Sequence, residues 1–438
     1  MDPIKNSSRN LIINTGDISD ADGFFALAKY ATSGADVIFI MNYPAFLDVS
    51  EPPHADSNAD GLNNFGLGYT YNEREYYEAS DTLVSVLNVK DYNLYKIIKN
   101  GYTGRSKPTK QNLTDLGFKM AMEVWDSIQN QDKGTLYFCV GGVNDINPFH
   151  KKALKNEIYV YREIGRDMIR LPTCSSMDMF DSDGRTVSLN DILKGYKSIY
   201  IDFNGSMAFF ETAWRGLLRD VKDKIKGLFV MGGVFTDALP TTLSALKGVL
   251  NRMSCSTMNQ FYAPGKSHTC FQLMDLWGVP IFMIANNVVT LLKDNVELET
   301  FLRMNSVFSG SLFSIAVAFY DSHYIPTRKP FDFYVALALV DFMNGRGGVP
   351  FGSVCNLVLN PEYGVTLITN QTSSKDAVKE YTGKWDNDII VGDNPFTANK
   401  KKNFACEQAV LSIVRCTFIS NVYKVEFSLN ESKLLSIK

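Results

Sequence analysis

Residues 14–27, NTGDISDADGFFAL, decide how this chain is read. Ahead of them stand Leu11, Ile12 and Ile13, an apolar run that suits a buried strand. Behind them, Phe24, Phe25, Ala26, Leu27 and Ala28 suit a helix. Between the two lie three carboxylates, Asp17, Asp20 and Asp22. The carboxyl end of a first strand is where an α/β protein holds its ligand. Carboxylates there serve sugar hydroxyls or a hard cation such as calcium, which takes about 6–8 oxygen ligands. The same spacing also suits capping, with Asp20 or Asp22 accepting the free N–H groups of the helix and complementing its positive end. The stretch alone leaves both readings open.

Outward from this point, short apolar runs alternate with amphipathic segments. Strands are expected at 10–14, 36–42, 135–140, 157–161, 198–203, 227–231 and 280–285, and helices at 22–32, 112–129, 208–224, 240–252 and 331–343. The apolar runs lack period-two alternation, which points to burial on both faces, as in a parallel sheet. The expected fold is therefore α/β: a doubly wound, mostly parallel sheet in one domain, residues 1–349. Residues 44–110, rich in Tyr, Asn, Asp and Gly, read as an insertion. From residue 350 to 438 the pattern changes. NLVLNPEYGVTLITN and FISNVYKVEFSLN alternate like antiparallel strands, so this part is expected to be a β-rich extension or arm.

With 45% hydrophobic and 21% charged residues, a folded globular protein is expected. A net charge of −3 gives no bulk case for nucleic acid. The basic clusters, Lys400 to Lys402 and Lys151, Lys152 and Lys155, are short and read as solvated ends. The beginning, MDPIKNSSRN, has no apolar signal core. No run approaches the roughly 18 apolar residues of a membrane span, so an intracellular, soluble protein is expected. The seven cysteines form no CxxC pair, which argues for reduced thiols over a zinc site. APGKS (263–267) echoes a phosphate loop, but Gln260 stands where its first glycine belongs. His54, His150, His268 and His323 are isolated and read as surface or satisfied histidines. The 29 Phe and 21 Tyr suit core packing and contacts between subunits equally.

Further stretches follow in a set order: VMGGVF (230–235), NQFYAP (259–264), GVPIFMIANNVV (278–289) and PFDFYVALAL (330–339). Together with the opening stretch they resemble the inosine–uridine-preferring nucleoside hydrolase family, over roughly residues 10–345. That family opens with a strand and D-x-D-x-G-x-D-x-D-D-x-x-A-L. It carries M-G-G, E-F-N-x-x-x-D-P and V-P-I-x-M-V-x-L-D, and ends its site with H-D-x-x-A-V. The resemblance implies a calcium ion that holds ribose hydroxyls and a water, a carboxylate that deprotonates the water, and a histidine that protonates the leaving base.

Laid over that pattern, this chain departs at most of the chemical positions. Asn14 stands at the first aspartate. Gly16 takes the place of the general base and calcium ligand, and Gly23 that of a bidentate calcium ligand. Asp22 matches the aspartate that contacts ribose. Asp17 lies one residue from the lost base, and a shift by one redirects a strand side chain. GGVNDIN (141–147) resembles G-P-L-T-N-I-A, where Asn144 would offer a backbone carbonyl to the metal. ADGL (59–62) resembles the H-G-x-D-G-L loop, with Ser57 at the histidine. Thr257 replaces the glutamate of E-F-N while Asn259 keeps the asparagine. Ala263 and Asn287 replace two aspartates, Phe331 replaces the leaving-group histidine, and Asp332 keeps the last calcium carboxylate.

The resemblance thus implies a vestigial pocket of Asp17, Asp22, Asn259 and Asp332 with no catalytic residue. Acid and base groups are worth about 10²–10⁴-fold each, so their loss removes most of the rate. Three readings follow. The first is a non-catalytic protein on a nucleoside hydrolase fold that needs no cofactor and partners with itself as a homo-oligomer or lattice, a viral occlusion body being the concrete form. The second is an active calcium-dependent N-ribohydrolase with a rearranged site, its metal held by Asp17, Asp22, Asn144 and Asp332. The third is a nucleoside- or ribose-binding module that does not hydrolyse.

Overall fold

The computed structural model describes residues 7–17, 22–43, 94–97, 110–144, 159–162, 171–236, 258–291, 298, 301, 330–345, 351–361, 364–386 and 416–425. The 240–252 helix and most of the 44–110 insertion lie outside the described residues. The strands are β1 (Leu11–Asp17), β2 (Asp36–Tyr43), β3 (Leu94–Ile97), β4 (Leu136–Val143), β5 (Tyr159–Arg162), β6 (Met179–Phe180), β7 (Thr186–Val187), β8 (Ile199–Phe203), β9 (Ile225–Met231), β10 (Val234–Phe235), β11 (Ile281–Ile284), β12 (Phe351–Asn360), β13 (Val365–Thr369) and β14 (Thr417–Val425).

Twelve of them form one sheet, in the order β10-β13-β12-β14-β11-β9-β8-β1-β2-β4-β6-β7. The run from β11 to β4 is parallel throughout, as the unalternated apolar pattern required. Every residue of β1 and β2 is buried. One sheet face packs on the helices Asp22–Ala31, Lys110–Ser127 and Phe331–Met343. The other packs on Leu189–Gly195, Thr212–Asp220 and Pro264–Leu276. The protein is thus an α/β protein with a large mixed, mostly parallel sheet. The expected strand at 157–161 is β5, which pairs antiparallel with β3 in a separate two-stranded sheet. The 208–224 helix is shorter than expected. Gly205 to Phe210 are non-helical, and the helix begins only at Thr212.

The C-terminal strands belong to the main sheet. β12 pairs antiparallel with β13 and β14, and β14 lies parallel to β11. An aromatic stack carries this junction across three strands. Phe229 on β9 stacks on Phe282 of β11 at 4.5 Å between centroids, and Phe282 on Tyr423 of β14 at 5.0 Å. Phe342, from the Phe331–Met343 helix, packs on the Phe229 and Phe282 rings. The edge strand on this side is β10. β10 follows β9 after only Gly232 and Gly233, yet its sheet neighbour is β13. The two glycines make this diversion, with φ of 141° and 77°, a region L side chains rarely adopt. A Cβ on Gly232 would lie 2.1 Å from the Gln260 amide. The motif VMGGVF is therefore a strand that leaves one neighbour for another.

β1 lies between β2 and β8. The chain winds to one side through β2 and to the other through β8, so the carboxyl end of β1 is the switch point of the sheet, where such folds open a ligand crevice.

Candidate functional site

Four strand ends meet at this switch point: Asp17 on β1, Asn42 on β2, Asn144 after β4, and Asn204 with Ser206 after β8. Ser206 is the hub. Its backbone N–H donates to Asp17 Oδ2 at 3.1 Å, its hydroxyl donates to Asn144 Oδ1, and its carbonyl accepts from Asn42 Nδ2 at 2.6 Å. Asn42 also accepts from Gly142 N at 3.2 Å. Next to the hub, Asn259 Nδ2 donates to the carbonyl of Asn204. The Asn204 side chain is 1% exposed, and neither end of its amide has a partner among the described residues. Gly205 allows the close approach of β8 to β1: a Cβ there would lie 3.0 Å from Gly16 Cα.

A second cluster lies where two helices begin. Asp22 and Asp332, both buried, open the helices Asp22–Ala31 and Phe331–Met343. Asp22 Oδ2 accepts the backbone N–H of Asp332 at 3.4 Å, so the carboxylate of one helix caps the other. Gly23 lies against this pair: a Cβ there would stand in ordinary van der Waals contact with Asp332 Oδ2, at 3.4 Å, and with Gly16 Cα, at 3.6 Å.

The structure therefore joins Asp17 with Asn144 through Ser206, places Asn259 beside them, and joins Asp22 with Asp332. The two positions at which the resemblance expects calcium carboxylates, Gly16 and Gly23, carry no side chain. At Gly16, a Cβ would meet two ring atoms of Phe39 at 2.8 Å. Phe39 is 1% exposed and wedged between Phe24 and Phe138. Asp17 does not slide into that place, because successive strand residues face opposite sides, and its carboxylate goes to Ser206 instead. These residues do not fit a calcium site of the family type. The two positions where the resemblance expects calcium carboxylates, Gly16 and Gly23, are glycine, and the Asp17 and Asp22 carboxylates accept backbone N–H groups. Among the described residues, no group of three or more His, Cys, Asp or Glu side chains is placed to hold a metal ion.

Other substituted positions have structural work. Asn287 grips the backbone of Phe235 from both sides, with Oδ1 accepting from its N–H at 3.1 Å and Nδ2 donating to its carbonyl at 2.9 Å. An ionised aspartate could not make the second bond, so the amide is matched to the β10 diversion. Phe331 packs against the apolar cluster of its own sheet face. His268 pairs with Thr417 at 2.9 Å, and burial pushes its pKa down. Lys266 of APGKS lies in the first turn of a helix and donates to the Ala208 carbonyl at 2.8 Å. Thr257, Ser57 and the ADGL loop lie outside the described residues, as do His54, His150 and His323.

Sequence reading missed Asn42, Asn204 and Ser206. Their signal was polar residues at the carboxyl ends of the two neighbours of β1: Asn42 closing the apolar run of β2, and Asn204 and Ser206 in the run DFNGS (202–206) at the end of β8.

No protein-family model matches this chain. No curated protein matches it either. Among solved structures, it is similar to the crystal structure of the effector protein XOO4466, at 9% identity over 93% of this chain and 95% of that chain, with a TM-score of 0.39. A likeness at this level assigns neither fold nor function. No helix among the described residues is long and apolar enough to cross a membrane.

Proposed function

We propose that this chain is a distant, degenerate relative of the inosine–uridine-preferring nucleoside hydrolases, and that it works without hydrolysing nucleosides. The observation that carries this reading is Gly16. It stands where the family holds its base, and the space a side chain would need there is filled by the Phe39 ring. The surviving carboxylates support it, because Asp17, Asp22 and Asp332 have backbone N–H groups or helix ends to serve. In place of catalysis we propose self-association, up to a lattice of the occlusion-body kind. Among the described residues only Leu276 and Val354 are exposed large hydrophobics, so its contacts are expected to be mainly polar or to use other parts of the chain. Incubation with purine and pyrimidine nucleosides, with and without calcium, should release no ribose. Sedimentation should show assembly as concentration rises. Catalytic ribose release abolished by Asp332→Ala would replace this reading with that of an active enzyme.

One observation favours a second reading, a ribose- or nucleoside-binding module. The buried Asn204 amide beside Asn259 keeps unspent hydrogen-bonding capacity at the switch point. Thermal stabilisation by ribose or nucleosides without turnover would select it.

A further inference from the structure

Asn14 on β1 and Asp202 on β8 are register partners in adjacent parallel strands. Both are fully buried. Asn14 Nδ2 donates to Asp202 Oδ2 at 3.1 Å, and the Tyr30 hydroxyl of the Asp22–Ala31 helix donates to the same oxygen. The other oxygens of the pair, Asn14 Oδ1 and Asp202 Oδ1, have no hydrogen-bond partner among the described residues. Asp202 forms no ion pair among the described residues.

An ionised Asp202 would leave two acceptors unserved, each a buried polar group that costs free energy when unpaired. A single proton on Asp202 Oδ1 removes both faults. The neutral acid then donates to Asn14 Oδ1 while accepting from Asn14 Nδ2, giving a two-pronged acid–amide pair. Tyr30 adds a third bond from the helix above. We propose that Asp202 carries this proton at neutral pH, and that the pair is a pH-sensitive lock holding β1, β8 and the Asp22–Ala31 helix together.

Burial works in the same direction, pushing the Asp202 carboxyl well above its ordinary range against the opposing bonds from Tyr30 and Asn14. Burial also raises the Tyr30 hydroxyl, followed by the charge of Asp202 and, from the Phe331–Met343 helix, that of Asp332. Tyr30 therefore stays a donor. The groups facing the lock are Asn14 from β1, Tyr30 from the first helix and, through Tyr30, Asp332. The lock lies two residues before Gly16 on β1 and two before Asn204 on β8, so its loosening would be felt at the switch point.

The sign follows from linkage. The folded state keeps a proton that the unfolded state loses near about pH 4. Stability is then fully present below that pH and falls as pH rises, until the folded-state pKa is passed. One linked proton changes the folding equilibrium constant about tenfold per pH unit. Asp202→Asn keeps an acceptor for Tyr30 and cannot ionise. Between pH 5 and 7, the folding constant of the wild type relative to this variant should fall about tenfold per pH unit, as read from urea denaturation. Infrared spectra of the wild type should show a protonated-carboxyl C=O stretch at neutral pH that is missing in Asp202→Asn. If the variant does not fold, the same band in the wild type, lost on raising the pH with a change at the tyrosine hydroxyl, still decides the matter. Parallel pH profiles, or no protonated-carboxyl band at neutral pH, would overturn the proposal.

Discussion

Adding one carbon at Gly16 should measure how firmly the Phe39 ring closes this position. In Gly16→Ala the new Cβ would stand 2.8 Å from two Phe39 ring atoms. Phe39 cannot swing aside freely, since its ring lies 5.7 Å from that of Phe24 and 6.3 Å from that of Phe138. Overpacking of this kind costs about 1–3 kcal/mol. Replacing glycine by alanine inside a strand returns roughly 0.5–1 kcal/mol of backbone entropy. The net expectation is a loss of about 0.5–2 kcal/mol, read as a lower urea midpoint with an unchanged slope. Gly16→Asp, which would supply the carboxylate that the proposed family holds there, should cost more, because it adds a charge at a buried position. Phe39→Ala alone should lose about 3–5 kcal/mol. In the double variant Gly16→Ala/Phe39→Ala the clash is gone, so the combined loss should be smaller than the sum by on the order of 1 kcal/mol or more. A Gly16→Ala protein as stable as the wild type, or a strictly additive double variant, would refute the steric closure of this position.

Three further outcomes are expected. Gly216, in the helix Thr212–Asp220, has nothing within 4 Å of an added Cβ, so Gly216→Ala should stabilise the protein by about 1 kcal/mol in the same urea assay. Asn287→Asp removes the donor to the Phe235 carbonyl and should destabilise by about 1–3 kcal/mol at neutral pH. Part of that loss should return in acid, where the introduced carboxyl is protonated and again has a hydrogen to give; urea midpoints at two pH values read this. Asp22→Asn keeps an acceptor for the Asp332 N–H but drops the charge at a helix N-terminus, so thermal melting should show a loss of about 0.3–1 kcal/mol that calcium does not change.

Much of the fold was legible because burial on both faces writes itself into sequence. The runs at Leu11 to Ile13 and Val37 to Met41 needed no alternation, and both became central parallel strands. The helix at 331–343 has those bounds in the structure. The β10 diversion was not legible, because VMGGVF reads the same whether the glycines make a phosphate-type turn or send the strand to β13. The membership of β12 to β14 in the main sheet was hidden for a related reason. Alternating strands state that they pair, and only long-range contacts such as Phe282 on Tyr423 state with what. At the site, the carboxylates and glycines could be named from sequence, and the one-residue offset of Asp17 had the consequence that strand geometry requires. The hub at Ser206 left only the faint signal of DFNGS, since two of its three bonds use the backbone N–H and carbonyl that any residue carries. The aromatic residues also found their use in three dimensions: Phe24, Phe39, Phe118 and Phe138 fill one face of the sheet.

If the switch point keeps its geometry without its metal chemistry, calcium should find nothing to bind there. A calorimetric titration of the full chain with calcium, with ribose release from a nucleoside assayed on the same sample, decides this. No saturable heat and no ribose are expected. Stoichiometric binding of one calcium together with turnover would contradict the proposal, by showing that Asp17, Asp22 and Asp332 leave their backbone partners to build a working site.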